Sequence, residues 1–499
     1  MTKQALHTVI PGIDLDRITR KPLGQQLYGA LRSAILAGRF RAGSRLPSTR
    51  GLSADLNVSR NTVLGAYEQL LVEGYLEAKS GSGTCVASSL PDEMLCVRTP
   101  AVFPGSQASR GGLSRRGRIL ANRPVRLLSV PGTPRPFASG HPDVAAFPIK
   151  TWIRLTGRRW RRQSDELLVY GDPAGYRPLR QAIASYVRTA RAVRCEAEQV
   201  VVVTGSQQAI DLIARLLIDP GDAALVEDPG YPGARAALTA AGATLVRLPV
   251  DAEGANIRRV RTRRAKIRLA FVTPSHQYPL GVTMTLPRRL SLLEWARQHG
   301  AWILEDDYDS DYRYRGKPLP SLQGLDNSGQ VIYMGSFSKT MLPSLRLGFL
   351  VLPERLVEPF RRARAVVDGH SPVPYQAVLA DFISEGHFAR HIRRMRTLYQ
   401  ERQSVLMGAA QRNLSGLLEV NASEGGMHLM GWLPRGVSDI TASQRLRSCD
   451  VYASPFSSCC IGKPKRGGLL LGYAAFTSDQ ISEAVKQLAT ALRHIVRIT

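Results

Sequence analysis

Residues 336–352 read SFSKTMLPSLRLGFLVL. Ser336 and Ser338 precede Lys339, and Arg346 follows before an apolar run that predicts a buried strand. A lysine beside such a strand loses water, its pKa falls, and its neutral amine becomes free to attack a carbonyl carbon. The hydroxyls of Ser336 and Ser338 and the guanidinium of Arg346 are groups that hold a phosphate by charge-assisted hydrogen bonds. An SxSK string alone is more often an exposed lysine beside a surface turn. Upstream, however, Glu305-Asp306-Asp307-Tyr308 closes the apolar run Ala301-Trp302-Ile303-Leu304. A carboxylate at the end of a buried strand is costly without a partner, and a protonated pyridine nitrogen is one that offsets the cost. Together these features point to pyridoxal 5'-phosphate.

Working outward, strands are expected at 200–203, 223–226, 243–248, 269–273, 302–304 and 331–334. Helices are expected over 151–162, 178–187, 209–217 and 286–298. Such alternation predicts an α/β fold with a mainly parallel sheet, whose ligand lies at the carboxyl ends of the strands. Gly205, Ser206 and Gln207 form a small turn feeding a helix N-terminus, where free backbone N–H groups favour an anion. Tyr231, Asp306, Tyr308 and Lys339 all stand at or just beyond expected strands.

With 499 residues, 44% hydrophobic and 21% charged, the chain predicts two to four domains around ample cores. No apolar run approaches the ~18 residues that span a bilayer, and the first residues lack a signal-type apolar core, so a cytoplasmic protein is expected. The six cysteines, Cys459 and Cys460 adjacent and the rest scattered, form neither a disulfide framework nor a metal-ligand spacing, and no metal is expected. The net charge of +27 implies a polyanionic partner, nucleic acid before membrane.

At the N-terminal end, Leu23, Leu27, Leu31 and Ile35 make one helical stripe over 22–36. Pro47 and Ser48 start a second helix, and Ser59 caps a third that runs to about Glu73. Short strands at 75–78 and 84–87 then flank a Gly-rich turn. Three helices and a hairpin make a winged helix-turn-helix. Ser59, Arg60, Asn61 and Thr62 open the third helix with side chains suited to base edges and phosphates. Arg45, Ser48, Thr49 and Arg50 lie where the second helix crosses the DNA backbone, and Gly83 leaves the wing room for close approach.

Residues 22–87, with RLPSTRGLSADLNVSRNTVLGAYEQLLVEGYL and the wing GSGTCV, resemble the DNA-binding domain of GntR-family bacterial regulators. The second half resembles the type I aminotransferase fold through YGDPAGYRPLRQAIASY, TGSQQAIDL, EDPGYPG, TPSHQYPLG, EDDYDSDYRY and SFSKTMLPSLRLG, with QAVLADFISEGHFARHIRRMRTLYQER beyond. The fusion resembles the MocR-type subfamily. The resemblance implies that Lys339 forms the Schiff base with pyridoxal phosphate and Asp306 pairs with the pyridine nitrogen. Tyr308 would bond the phenolic oxygen and Tyr231 stack on the ring, while Ser206, Gln207, Ser336, Ser338 and Arg346 bind phosphate. Where relatives have Asn-Pro-x-Gly, this chain has Tyr278-Pro279-Leu280-Gly281, with His276 or Gln277 as substitutes. Near the C-terminus, where the family carries an arginine for the substrate carboxylate, Leu470 stands instead, with Arg466 close in sequence.

The expected organisation is an N-terminal extension (1–21), a winged helix-turn-helix (22–87), a flexible basic linker (88–139) and an aminotransferase-like domain (140–499) with a small C-terminal α+β part. Treated as coil, the linker spans roughly 35–40 Å. Basic clusters also occur at 158–162, 258–268, 361–364 and 390–396, so the body too is expected to touch DNA phosphates. The expected function is a bacterial, nucleoid-associated transcriptional regulator. It binds double-stranded promoter DNA and senses pyridoxal phosphate or an amine or amino-acid effector, as a head-to-tail, domain-swapped homodimer with no membrane partner. A working aminotransferase tethered to DNA, and a cofactor-free dimerisation scaffold, are the rival readings.

Overall fold

A computed structural model describes residues 13–19, 21–79, 83–91, 112–121, 134–162, 165–261, 266–316 and 320–496. The chain divides into two compact units, 1–112 and 113–499. Among the described residues no helix is long and apolar enough to cross a membrane.

In the first unit, helices α1 (Leu23–Leu36), α2 (Thr49–Asp55) and α3 (Arg60–Val72) precede the hairpin β1 (Leu76–Lys79) and β2 (Gly83–Val86). Pro22 stands at the N-cap of α1, where the missing N–H costs nothing. Ser48 caps α2 by accepting from Gly51 N at 3.1 Å, and Ser59 caps α3 by accepting from Thr62 N at 3.1 Å. The stripe read from the sequence is the core: Leu27, Leu31 and Ile35 meet Leu52, Val63, Tyr67 and Leu70 under Leu76 and Val86. Burying each leucine contributes about 1.5–3 kcal/mol. Gly74, at φ +81°, ends α3 in a conformation that costs other residues strain. An isolated bridge joins Arg45 to Cys85, so the wing is tied to the entry of α2.

The second unit is built on an eight-stranded sheet, ordered β3-β10-β9-β8-β7-β4-β5-β6. The strands are β3 (Val200–Val203), β4 (Ala223–Asp228), β5 (Thr244–Asp251), β6 (Gly254–Ala255), β7 (Ile267–Val272), β8 (Trp302–Asp307), β9 (Val331–Ser336) and β10 (Gly348–Val351). From β5 to β9 the pairing is parallel. β10 runs antiparallel to both β3 and β9, and β6 antiparallel to β5. Val200–Val203 and Gly348–Val351 are buried along their whole length, as expected of strands covered on both faces. A second sheet, β11 (Glu419–Val420), β12 (His428–Trp432), β14 (Gly468–Gly472) and β13 (Ser454–Pro455), is antiparallel and forms the small C-terminal part.

The stretch expected to be flexible linker is corrected in two places. Residues Arg115–Ala121 form a helix in contact with the helix Pro232–Ala240. Further on, Phe137 is buried and its carbonyl accepts from Gly472 N at 3.0 Å, while Pro136 O accepts from Tyr452 N at 2.9 Å. Residues 134–139 are thus backbone-paired with the small C-terminal part, an attachment to residues more than three hundred positions away that local composition does not record. The wing turn at 80–82 and the segments 92–111 and 122–133 lie outside the described residues.

Candidate functional site

β8 and β9 run side by side with Asp306 opposite Met334, and β9 ends at Ser336, from which the short helix Phe337–Thr340 carries Lys339. The amine donates to Gly140 O at 2.8 Å. Gly140 has φ +78°, a conformation that favours glycine, and a Cβ there would lie 2.8 Å from that nitrogen and push the amine aside. Burial holds the Lys339 pKa below the ordinary lysine value, opposed by the charges of Asp309 and Asp306.

Asp306 is buried, and its Oδ1 has no hydrogen-bond partner. Desolvation, then the neighbouring Asp307 and Asp309, drive its pKa well above the usual carboxylate range. An unmet buried acceptor costs about 1–3 kcal/mol. A protonated ring nitrogen answers that deficit, so this residue fits a pyridine cofactor.

The end of the site expected to hold a phosphate is shaped by β10. Gly348 pairs with Val203 on one side and Ser336 on the other, which brings the ends of β3 and β9 together. Beyond β3, Gly205 adopts φ +116° and opens the helix Ser206–Leu217. A Cβ there would sit 3.1 Å from Arg346 Nη2, so the guanidinium lies against the turn. Arg346 itself has φ +51°, a conformation seldom adopted by arginine. Ser336 Oγ accepts from Ser338 N at 3.2 Å. Free N–H groups, hydroxyls and a guanidinium make a cradle suited to a phosphate.

Between these ends, Tyr231 stacks on Phe271 with centroids 6.3 Å apart, meets Tyr278 edge-on, and donates to Gln207 Oε1 at 3.4 Å. Gln207 thus leans toward Tyr231. Tyr308 OH lies 3.1 Å from His276 Nδ1. Gln277 turns away, donating to Glu227, Pro229 O and Tyr278 O, so of the two substitutes only His276 stands beside Tyr308. Arg466 is bonded to Leu433 O and Glu419, and Leu470 is fully buried in β14.

Sequence reasoning missed Gly140, Glu227 and Asp309. Glu227 is fully buried, accepts from Thr273 Oγ1 at 2.6 Å, and burial pushes its pKa up to about 7. Asp309 is equally buried beside His276. The surplus of acids in EDDYDSDYRY, more than one ring nitrogen requires, was the available signal for Asp309.

In the first unit, Arg45, Arg50, Arg60 and Asn61 are exposed. Ser48 and Ser59 are engaged as caps, Ser59 Oγ also lies 2.8 Å from Thr62 Oγ1, and Arg60 Nε donates to Thr49 at 3.5 Å. The Arg45 guanidinium lies against Gly83: a Cβ there would meet it at 3.0 Å.

Residues 136–488 match the family "Aminotransferase class I and II", and residues 23–86 match "Bacterial regulatory proteins, gntR family". The chain is 44% identical to the probable rhizopine catabolism regulatory protein MocR of Rhizobium meliloti, over 96% of this chain and 95% of that one. It is 33% identical to the HTH-type transcriptional regulator TauR of Rhodobacter capsulatus, over 94% and 96%. Among solved structures it resembles LysN, the α-aminoadipate aminotransferase of Thermus thermophilus complexed with N-(5'-phosphopyridoxyl)-L-leucine: 29% identity, TM-score 0.66, 73% of this chain and 93% of that one. The winged unit, the aminotransferase fold and the length of these matches lead to one assignment: the chain belongs to the MocR-type GntR regulators.

Proposed function

We propose that this chain is a pyridoxal-phosphate-dependent transcriptional regulator. Its winged unit binds promoter DNA in the bacterial cytoplasm, and the Lys339 site binds the cofactor and, through it, an amine or amino-acid effector. The observation that carries the reading is Asp306, a buried carboxyl with an unmet oxygen in the same site as a lysine of lowered pKa.

When bound, the cofactor supplies an aldehyde that captures primary amines and a ring that withdraws electrons. Lys339 presents its amine, oriented by Gly140 O. Asp306 would keep a proton on the ring nitrogen. Tyr308, joined to His276, would donate toward the phenolic oxygen, and Tyr231 would cover one ring face. Ser206, Ser336, Ser338 and Arg346 would hold the phosphate, with Gln207 contributing its backbone N–H at the helix N-terminus. An effector that displaces Lys339 changes which contacts the site makes, and regulation follows if the two states differ in DNA affinity.

The regulator works as a homodimer. The large apolar side chains Ile149, Ile153 and Trp160 are 49%, 62% and 52% exposed on one helix, and a second copy is the partner that would cover them.

The test is spectroscopic. Full-length protein loaded with pyridoxal phosphate is expected to show a visible band that borohydride fixes onto the Lys339 peptide, with operator affinity changing on loading. An unchanged spectrum in Lys339→Ala, or operator binding indifferent to the cofactor, overturns the reading. Steady conversion of amino donors with keto acids would replace it with a tethered aminotransferase.

A further inference from the structure

Arg364, in the helix Glu354–Val367, is 0% exposed, which is rare for a guanidinium. Its Nη1 donates to Val202 O at 3.1 Å and to Gln208 Oε1 at 2.9 Å. Its Nη2 donates to Ser371 Oγ at 3.3 Å, and its Nε lies 2.9 Å from Asp368 Oδ1. Taking such a charge out of water is costly, and a buried ion pair seldom stabilises a fold more than apolar side chains of the same volume. Stability alone is therefore a poor account of this arginine.

What the arginine touches is the turn that opens the phosphate cradle. β3 ends at Val203, and Gly205 then caps the helix Ser206–Leu217. A glycine cap has no side chain with which to hold the turn. Gln208 holds it instead, because its Oε1 accepts from Thr204 N at 2.7 Å. The same oxygen takes the Arg364 bond, and the Gln208 amide donates to Asp368. Arg364 also grips Val202 O, two residues before Thr204. One guanidinium thus fixes both the strand end and the side chain that sets the turn. Within that turn Gly205 has φ +116°, the Arg346 guanidinium lies against it, and the first N–H groups of the helix have no intrahelical acceptor.

We propose that Arg364 is a positioning residue for the cofactor's phosphate: through Gln208 it holds the Thr204–Gly205 turn in the shape that receives the anion. Being enclosed, it acts on the turn and not on the phosphate itself. This rests on the proposed binding of pyridoxal phosphate and concerns its phosphate end alone.

The experiment uses full-length protein and two probes, pyridoxal 5'-phosphate and pyridoxal, which lacks the phosphate. Dissociation constants are read by calorimetry, and wild type is expected to prefer the phosphorylated form. In Arg364→Met that preference is expected to fall ~10-fold, as loss of one charge-assisted hydrogen bond allows, with pyridoxal binding unchanged. Arg364→Lys keeps the charge without the planar fork and is expected to lose part of the preference. Gln208→Ala, at a partly buried side chain, is expected to match Arg364→Met, and the double variant to fall no further, since both changes break one link. Should Arg364→Met fail to fold, Arg364→Lys with Gln208→Ala decides by the same ratio. A preference unchanged in the variants, equal weakening of both probes, or additive losses in the double variant overturns the role of Arg364 and leaves the cofactor reading standing. A wild type that binds neither probe removes that reading and this proposal together. One that binds both equally removes the phosphate end, and with it this proposal, while leaving the Lys339 end.

Discussion

Glu227 carries a pH signature of its own. Its carboxyl, fully buried at the end of β4, has a pKa of about 7 in the fold against 4.5 for the free side chain, because burial penalises the charged form. The folded chain therefore holds a proton that the unfolded chain releases between those values. The resulting stabilisation is complete below pH 4.5 and is lost as pH rises through 7. Its size is on the order of 3 kcal/mol. Glu227→Gln cannot titrate, so its Tm is expected to fall less steeply than wild type between pH 5 and 8. Parallel Tm curves would show that Glu227 is not the group responsible. Which residues were legible beforehand follows a physical line. Lys339, Asp306 and Tyr308 could be singled out because all three stand at or just beyond expected strands, in segments that resemble the aminotransferase fold. Gly140 and the His276–Asp309 contact do not, since each matters only through a partner brought near by the fold.

At the scale of elements, α3 separates stability from recognition within four residues. Ser59 satisfies Thr62 N, so Ser59→Ala is expected to destabilise the winged unit by about 0.5–2 kcal/mol. Asn61 is exposed and makes no cap, so Asn61→Ala should leave thermal unfolding unchanged and weaken operator binding by about 1–3 kcal/mol. Unfolding followed by circular dichroism and a gel-shift titration check the pair. If Asn61→Ala binds the operator normally, α3 does not read bases through this residue. The three helices could be placed from sequence to within a residue or two because caps and apolar stripes are local signals. The strand Gly348–Val351 was also expected, but not its antiparallel pairing with β3 and β9, since register and direction are set by distant partners. Residues 134–139 escaped for the same reason: their backbone bonds go to Tyr452 and Gly472.

Across the whole molecule the basic excess is unevenly placed. Residues 22–87 hold seven Lys and Arg against four Asp and Glu, so only three of the 27 net positive charges lie in the winged unit. Much of the remaining arginine is committed within the fold. Arg158 and Arg159 pair with Asp381 and Glu385, Arg361 and Arg362 with Glu358, and Arg364 is buried. Arg161, Arg162, Arg393 and Arg394 stay exposed. If these reach DNA phosphates, each neutralised phosphate steepens the salt dependence of log affinity by about 0.9. Full-length protein on a long operator is then expected to show a slope at least ~1 steeper than the 1–112 fragment. Charge reversal at Arg393 and Arg394 should return part of the difference without altering base preference. Identical slopes for fragment and full chain would confine DNA contact to the winged unit and leave the body's charge to another role.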